Sequence, residues 1–205
     1  MQTNKKGNIF IISAASGTGK TTLVSRLLKN NGDIRVSISH TTRQPREGER
    51  HGVHYHFVPK EEFESLIRQN AFLEHADVFG NYYGTSIAGV DELRGQGYDV
   101  ILEIDVQGAE QVRRLLPEAC SIFILPPSFE ILASRLTNRG TDSEEVIRSR
   151  LDKARYEIGQ APLFDYIVVN DDLDTAEADL LHIIKAGRLK QTVQKPFIEN
   201  LLENS

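Results

Sequence analysis

Four times in this chain a short, nearly unbroken apolar run gives way to a stretch with helical periodicity. "NIFIISA" (8–14) precedes "KTTLVSRLLKN", "YDVILEIDV" (98–106) precedes "GAEQVRRLL", "CSIFIL" (120–125) precedes "SFEILASRLTN", and "DYIVVN" (165–170) precedes "LDTAEADLLHIIKAG". Runs rich in Val, Ile and Leu suit strands buried on both faces, and such burial needs crossover helices above and below a parallel sheet. The pattern predicts an α/β three-layer fold with a parallel central sheet. Two segments break the rhythm. Residues 34–97 read as an inserted α+β lobe, with "KEEFESLIRQNAF" as a helix and the alternation of Val53, Tyr55 and Phe57 as a half-exposed antiparallel strand. Residues 135–159 are rich in arginine and carry a polar turn over 138–143 before a helix start at Ser143, which reads as a helical lid. The core is then 1–33, 98–134 and 160–187, and 188–205 is a helix-and-tail extension that Pro196 breaks.

The first apolar run leads directly into "AASGTGKTT" (14–22), which matches the phosphate-binding pattern G-x-x-x-x-G-K-[ST] except that Ala14 replaces the first glycine. Gly17 and Gly19 let the backbone of Ala15, Ser16 and Thr18 turn its N–H groups toward phosphates. Lys20 supplies a point charge, the Thr21 hydroxyl suits Mg²⁺, and Thr21 and Thr22 open a helix whose positive end faces the anion. Ala14 is tolerated at the entrance if its φ is negative. A second apolar strand ends in Asp105, where a fold of this kind places a carboxylate for the water shell of Mg²⁺.

Composition narrows the partners. Acidic residues outnumber basic ones, 29 to 24, which argues against a general nucleic-acid binder while allowing a small anion in a locally positive pocket. The single cysteine, Cys120, lies in an apolar run and reads as a buried structural thiol in a reducing compartment. "IFII" is too short for a signal peptide or a membrane span, so the expectation is a soluble cytoplasmic protein with no membrane partner. His40, His51, His54 and His56 lie close in sequence, but without a cysteine or a closed ligand set they read as loop and strand residues rather than a metal site.

The inserted lobe carries a resemblance. "SHTTRQPREGERHGVHYHFV", "FLEHADVFGNYYGTS", "ILEIDVQGA", "RLTNRGT" and "IVVNDDLD" occur in the order in which the guanylate kinase family carries similar motifs, over roughly residues 8–187. The resemblance implies a P-loop nucleoside monophosphate kinase in which 34–97 is a GMP-binding lobe. It puts Glu74 on the guanine edge, with Ser39, Glu103 and Thr85 as further contacts. Part of the family carries Asp at the Glu103 position, and some relatives carry Ser at Thr85. One carboxylate can accept both the N1–H and the exocyclic amino group of guanine, a pair that adenine lacks. Arg43 and Arg46 supply forks for the GMP phosphate, and Tyr55 and Tyr83 supply phenolic donors. Asp105 also falls within the GMP site.

The resemblance further implies that Arg135, Arg139 and Arg150 of the lid close over the donor phosphates, with Lys20 and Arg43 completing the catalytic set. Adenine is expected near "NDDLD", with Asn170 as a contact. The expected partners are ATP, Mg²⁺ and GMP, with dGMP left open. The expected reaction is reversible in-line phosphoryl transfer giving ADP and GDP, in purine nucleotide metabolism. Two other readings remain at this stage: a non-catalytic phosphopeptide-binding module with the same fold, and a kinase for another nucleoside monophosphate.

Overall fold

The computed structural model describes residues 6–78, 80–137 and 144–204. The first strand, β1 (Ile9–Ala14), runs into the loop and then α1 (Lys20–Asn30). β2 (Ile34–Val36) follows, and then the lobe: β3 (His40–Thr41), β4 (His56–Phe57), α2 (Lys60–Arg68), β5 (Phe72–Val78) and β6 (Asn81–Ser86). The chain returns through α3 (Ile87–Gly95), β7 (Asp99–Glu103), α4 (Val106–Leu115) and β8 (Cys120–Leu125). α5 (Phe129–Thr137), α6 (Glu144–Gly159), β9 (Tyr166–Val169), α7 (Leu173–Gly187) and α8 (Gln191–Glu203) complete it.

The central sheet is parallel throughout, in the order β2-β7-β1-β8-β9. Period-two alternation along β1 sends its apolar residues to opposite faces. Ile9 and Ile11 pack with Val100, Leu102 and Phe123 beneath Val106, Ala109 and Val112 of α4. Phe10 and Ile12 pack with Ile101, Ile122 and Ile124 against Leu23 and Leu27 of α1 and Leu180 and Ile184 of α7. Both faces of β1, β7 and β8 are covered, so these strands carry no polar face, and the three-layer expectation holds. Cys120 is buried in this core, as expected, and burial pushes its thiol up to about 11.

The lobe differs from the sequence reading in two places. Its expected first residues, 34–36, pair in parallel with β7 as an edge of the central sheet, because Ile34 is fully buried against Phe10 and Ile101. The expected antiparallel strand through Val53 and Tyr55 is instead a turn. Gly48 and Gly52 have φ of 82° and 73°, the Gly52 N–H donates to the Tyr55 carbonyl, and Val53 is 51% exposed. Only His56–Phe57 forms a strand, and it runs parallel to β3. β3, β6 and β5 form the antiparallel part of this second sheet.

At the other end of the chain, α8 continues through Pro196 rather than stopping there. No helix among the described residues is long and apolar enough to cross a membrane. The expected polar turn at 138–143, and Arg139 with it, lies outside the described residues.

Candidate active site

The phosphate loop sits at the C-terminal end of β1, between the sheet and the lid helices. Gly17 and Gly19 have φ of 87° and 98°, which side chains rarely adopt. Close packing adds a second constraint: a Cβ on Gly17 would lie 2.8 Å from Leu136, and one on Gly19 would lie 2.5 Å from the Asn170 amide. Asn70 is the only non-glycine residue with positive φ among those described, so Ala14 has the negative φ its place at the loop entrance requires.

Behind the loop, the Asn170 side chain donates to the Thr18 carbonyl at 2.7 Å, and Arg135 donates to the same carbonyl at 3.2 Å. Asn170 is 4% exposed. It braces the loop, at the position where the resemblance implies an adenine contact. Ala15 is clamped by Leu132 and Leu136 of α5 and Ala154 of α6, so the lid helices pack directly on the loop. In "NDDLD", Asp172 caps α7 and Asp174 pairs with Arg26.

Lys20 is largely buried, donates to the Ile104 carbonyl at 3.4 Å, and lies 3.8 Å from Glu103. Burial pushes its pKa below the usual lysine value, and the carboxylates of Glu103, Asp105 and Glu157 oppose that shift. The Thr21 hydroxyl donates to Glu103 Oε1 at 2.7 Å. Thus the carboxylate hydrogen-bonded to the loop is Glu103, which the resemblance puts on the base, while Asp105 acts on Lys20 only through its charge. Glu103 ends β7 in register with Ile12 and has the longer side chain. Asp105 has left the sheet, and its short side chain accepts from the backbone N–H groups of Gln107 and Gly108 as the cap of α4.

Mg²⁺ prefers oxygen donors and takes only one or two protein ligands beside phosphates and water. The exposed Thr21 hydroxyl with the Glu103 carboxylate beside it fits that need. Among the described residues there is no cluster of three His, Cys, Asp or Glu that could hold a metal by itself. The histidines of the lobe stack instead: His40 and His56 have ring centroids 4.7 Å apart, and the Arg50 N–H donates to His54.

On the lobe side, Glu74 is 5% exposed and accepts from the Thr85 hydroxyl at 2.6 Å. Burial raises its pKa to about 7; the Thr85 hydrogen bond opposes the shift and the Asp105 charge adds to it. The Ser39 hydroxyl lies 3.5 Å from that of Thr85. The rings of Tyr55 and Tyr83 meet edge to face at 5.9 Å, with the Arg43 guanidinium 5.5 Å from the Tyr55 ring. Arg43 is gripped by both oxygens of Glu49, at 2.9 and 3.0 Å, and this pairing holds the Glu49 carboxyl down to about 2. Glu49 also accepts from the Arg46 backbone N–H, while the Arg46 side chain is exposed.

Glu74, Ser39, Tyr55 and Tyr83 share one cleft of about 480 Å³ with Ser16, Lys20, Glu103 and Asp105. Arg150 is half-buried on α6 and is not part of the cleft wall.

Three residues in or near the site were not anticipated. Glu49 orients Arg43. Gly108 leaves space for Glu74, since a Cβ there would lie 2.7 Å from Glu74 Oε2. Glu157 of α6 is 6% exposed, is influenced by the Ser16 backbone N–H and by Lys153 3.8 Å away, and has an Oε2 with no hydrogen-bond partner. A carboxylate in a lid helix read for its arginines gave no signal in sequence.

The sequence model of the guanylate kinase family matches residues 6–187. The chain is 72% identical to a guanylate kinase of Neisseria gonorrhoeae over 205 residues, covering all of both chains. It is 56% identical to one of Shewanella violacea over 190 residues, 92% of each. Among solved structures, the guanylate kinase from Anaplasma phagocytophilum superposes with a TM-score of 0.73 at 34% identity, covering 91% of this chain and 89% of that one. Taken with the loop, the lobe and the cleft between them, these matches establish that the chain belongs to the guanylate kinase family.

Proposed function

We propose that the protein transfers the γ-phosphoryl group of ATP to GMP, giving ADP and GDP. The observation that carries this reading is the single cleft that joins Lys20 and Ser16 of the phosphate loop to Glu74, Ser39, Tyr55 and Tyr83 of the lobe. A donor phosphate on the loop and an acceptor nucleotide in the lobe would face each other across it.

The acceptor chemistry follows from charge. The second pKa of a phosphate monoester is about 6, so the GMP phosphate is a largely ionised nucleophile at neutral pH and needs no general base. One of its oxygens forms a bond to the γ-phosphorus as the bond to the β–γ bridging oxygen breaks, and ADP leaves with that electron pair. The work of the protein is alignment and neutralisation of charge. The Glu74 carboxylate accepts both guanine donors, with Ser39 and Thr85 beside it. Arg43, fixed by Glu49, would take the GMP phosphate together with Tyr55, Tyr83 and Arg46. Lys20 and the loop N–H groups hold the donor phosphates, and Arg135, Arg139 and Arg150 of the lid shield them from water. Asn170 acts from behind by holding the loop in shape.

Thr21 would hold Mg²⁺ directly and Glu103 through its water shell. When bound, the metal neutralises charge on the phosphate oxygens. Such a reaction would serve purine nucleotide metabolism, and its substrates suit a cytoplasmic enzyme.

A coupled assay of ADP release with ATP and either GMP, AMP, UMP or CMP tests the reading. Turnover is expected with GMP alone. Absence of turnover with GMP would overturn the kinase assignment, and equal turnover with AMP would overturn the role of Glu74.

A further inference from the structure

We propose that Glu157 is a positioning residue for phosphoryl transfer: from the last turn of α6 it holds the Ser16 stretch of the phosphate loop, and so fixes where α6 carries Arg150. The inference rests on the kinase reading above and adds a residue to it.

Nothing in the stability of α6 asks for a carboxylate at this position. Glu157 is 6% exposed, and its Oε2 has no hydrogen-bond partner. A buried acceptor without a partner costs stability. Burial is the main reason that its pKa is raised, and the Asp105 charge adds to the rise. The last turn of a helix favours cations, because its free carbonyls are the negative end of the dipole. Lys153, one turn earlier, lies 3.8 Å from Oε1, but its side chain is 48% exposed, and lysine before glutamate is the weaker order for such a pair. An exposed glutamate would serve that lysine as well. Where several local preferences fail together, the compensating gain is expected in function.

The surroundings of Glu157 show where that gain lies. Three successive loop residues meet the lid helices. Ala15 packs with Ala154 of α6, the Ser16 backbone N–H favours the charge of Glu157, and Gly17 leaves no room for a Cβ beside Leu136 of α5. Only the contact to Glu157 is polar, and therefore directional. Lys20 also acts on Glu157 through its charge, and Ser16 and Lys20 line the donor end of the cleft. Arg150, Ala154 and Glu157 are spaced i, i+4, i+7 and share one face of α6. That face seats on the loop at Ala154 and Glu157, and Arg150 follows about 10 Å from Glu157 along the helix axis. Because α6 is one helix over Glu144–Gly159, holding its end against Ser16 sets the line along which Arg150 approaches the donor phosphates.

Steady-state kinetics and thermal melting of Glu157→Leu and Glu157→Gln, each alone and with Arg150→Ala, test this. Leucine removes the acceptor at similar volume, and Ser16 is exposed, so its N–H can turn to water. Glu157→Leu should therefore melt at or above the wild-type temperature, while kcat falls about 10- to 100-fold and the KM for GMP stays unchanged. Glu157→Gln keeps an acceptor oxygen and should recover most of the lost kcat. In the Arg150→Ala background, Glu157→Leu should slow turnover by less than about twofold more, because residues that act as a unit are not additive. A leucine variant with wild-type kcat would overturn the proposal, and so would one that melts well below wild type. A glutamine variant as slow as the leucine variant, or full additivity with Arg150→Ala, would do the same. A wild-type chain inactive with GMP would instead overturn the kinase reading itself, and this role with it.

Discussion

Glu74 is a buried carboxylate whose pKa is raised to about 7, chiefly by burial, from an ordinary value of 4.5. The folded protein therefore binds more protons at this position than the unfolded chain between about pH 4.5 and 7. Without ligand, its contribution to stability falls as pH rises through that window. Guanine makes the opposite demand, because only the ionised form accepts two donors. The KM for GMP is expected to fall as pH rises toward and past 7, and GMP binding near pH 6.5 should release a proton. Titration calorimetry in buffers of different ionisation enthalpy measures that release, and Glu74→Gln should remove it while leaving ATP binding nearly intact. At the other end of the cleft, Glu103→Gln should lower turnover at limiting Mg²⁺ by about 10- to 100-fold, with partial recovery at high Mg²⁺. An unchanged Mg²⁺ dependence would return Glu103 to the base. Glu74, Thr85 and Ser39 were legible because the family's motifs name them in order. The hydrogen bond of Thr21 to Glu103, and the use of Asp105 as the cap of α4, were not. Residues two apart on a strand share a face, and reach is set by where the strand ends and the helix cap begins.

Among the elements, α4 shows how a helix can be shaped by what lies across from it. In an exposed helix, replacing glycine by alanine stabilises by about 1 kcal/mol. At Gly108 the new methyl would meet the Glu74 carboxylate. Gly108 is buried, so the gain of an exposed helix does not apply, and Gly108→Ala is expected to raise the KM for GMP about tenfold or more without raising the melting temperature, since a misplacement of ~1 Å can cost ~100-fold. Steady-state kinetics with varied GMP and varied ATP would separate this from a general loss. Long elements such as α1 and α7 were readable because apolar spacing holds over several turns, and α7 has Asp172 as its capping residue besides. The short β4 was misread because alternation over Val53, Tyr55 and Phe57 looks the same whether the backbone runs extended from Val53 or is still turning after Gly48 and Gly52.

At the scale of the whole molecule, the C-terminal segment is tied to the sheet through one buried charge. Asp99 is 3% exposed and takes hydrogen bonds from the Asn8 backbone N–H and side chain as well as from Arg188. Arg188→Met would leave that carboxylate without its cation, a loss of about 3–5 kcal/mol for a buried pair broken on one side. Urea unfolding should show it as a lower midpoint, and Asp99→Asn in the same background should recover part of the loss. The parallel core was legible in the four strand–helix repeats. The order of its strands was not, because nothing local in an apolar run says which distant run lies beside it.

That order has a consequence for how the chain comes into being. β1 is the central strand, yet its partners begin at Val100 on one side and Cys120 on the other. At a synthesis rate of about 5–20 residues per second, the run Ile9–Ala14 waits roughly 5–20 s before either neighbour exists. Through that interval the segment destined to be the most enclosed part of the enzyme is a bare apolar run in a nascent chain, and its protection falls to the ribosome surface and to chaperones rather than to the fold.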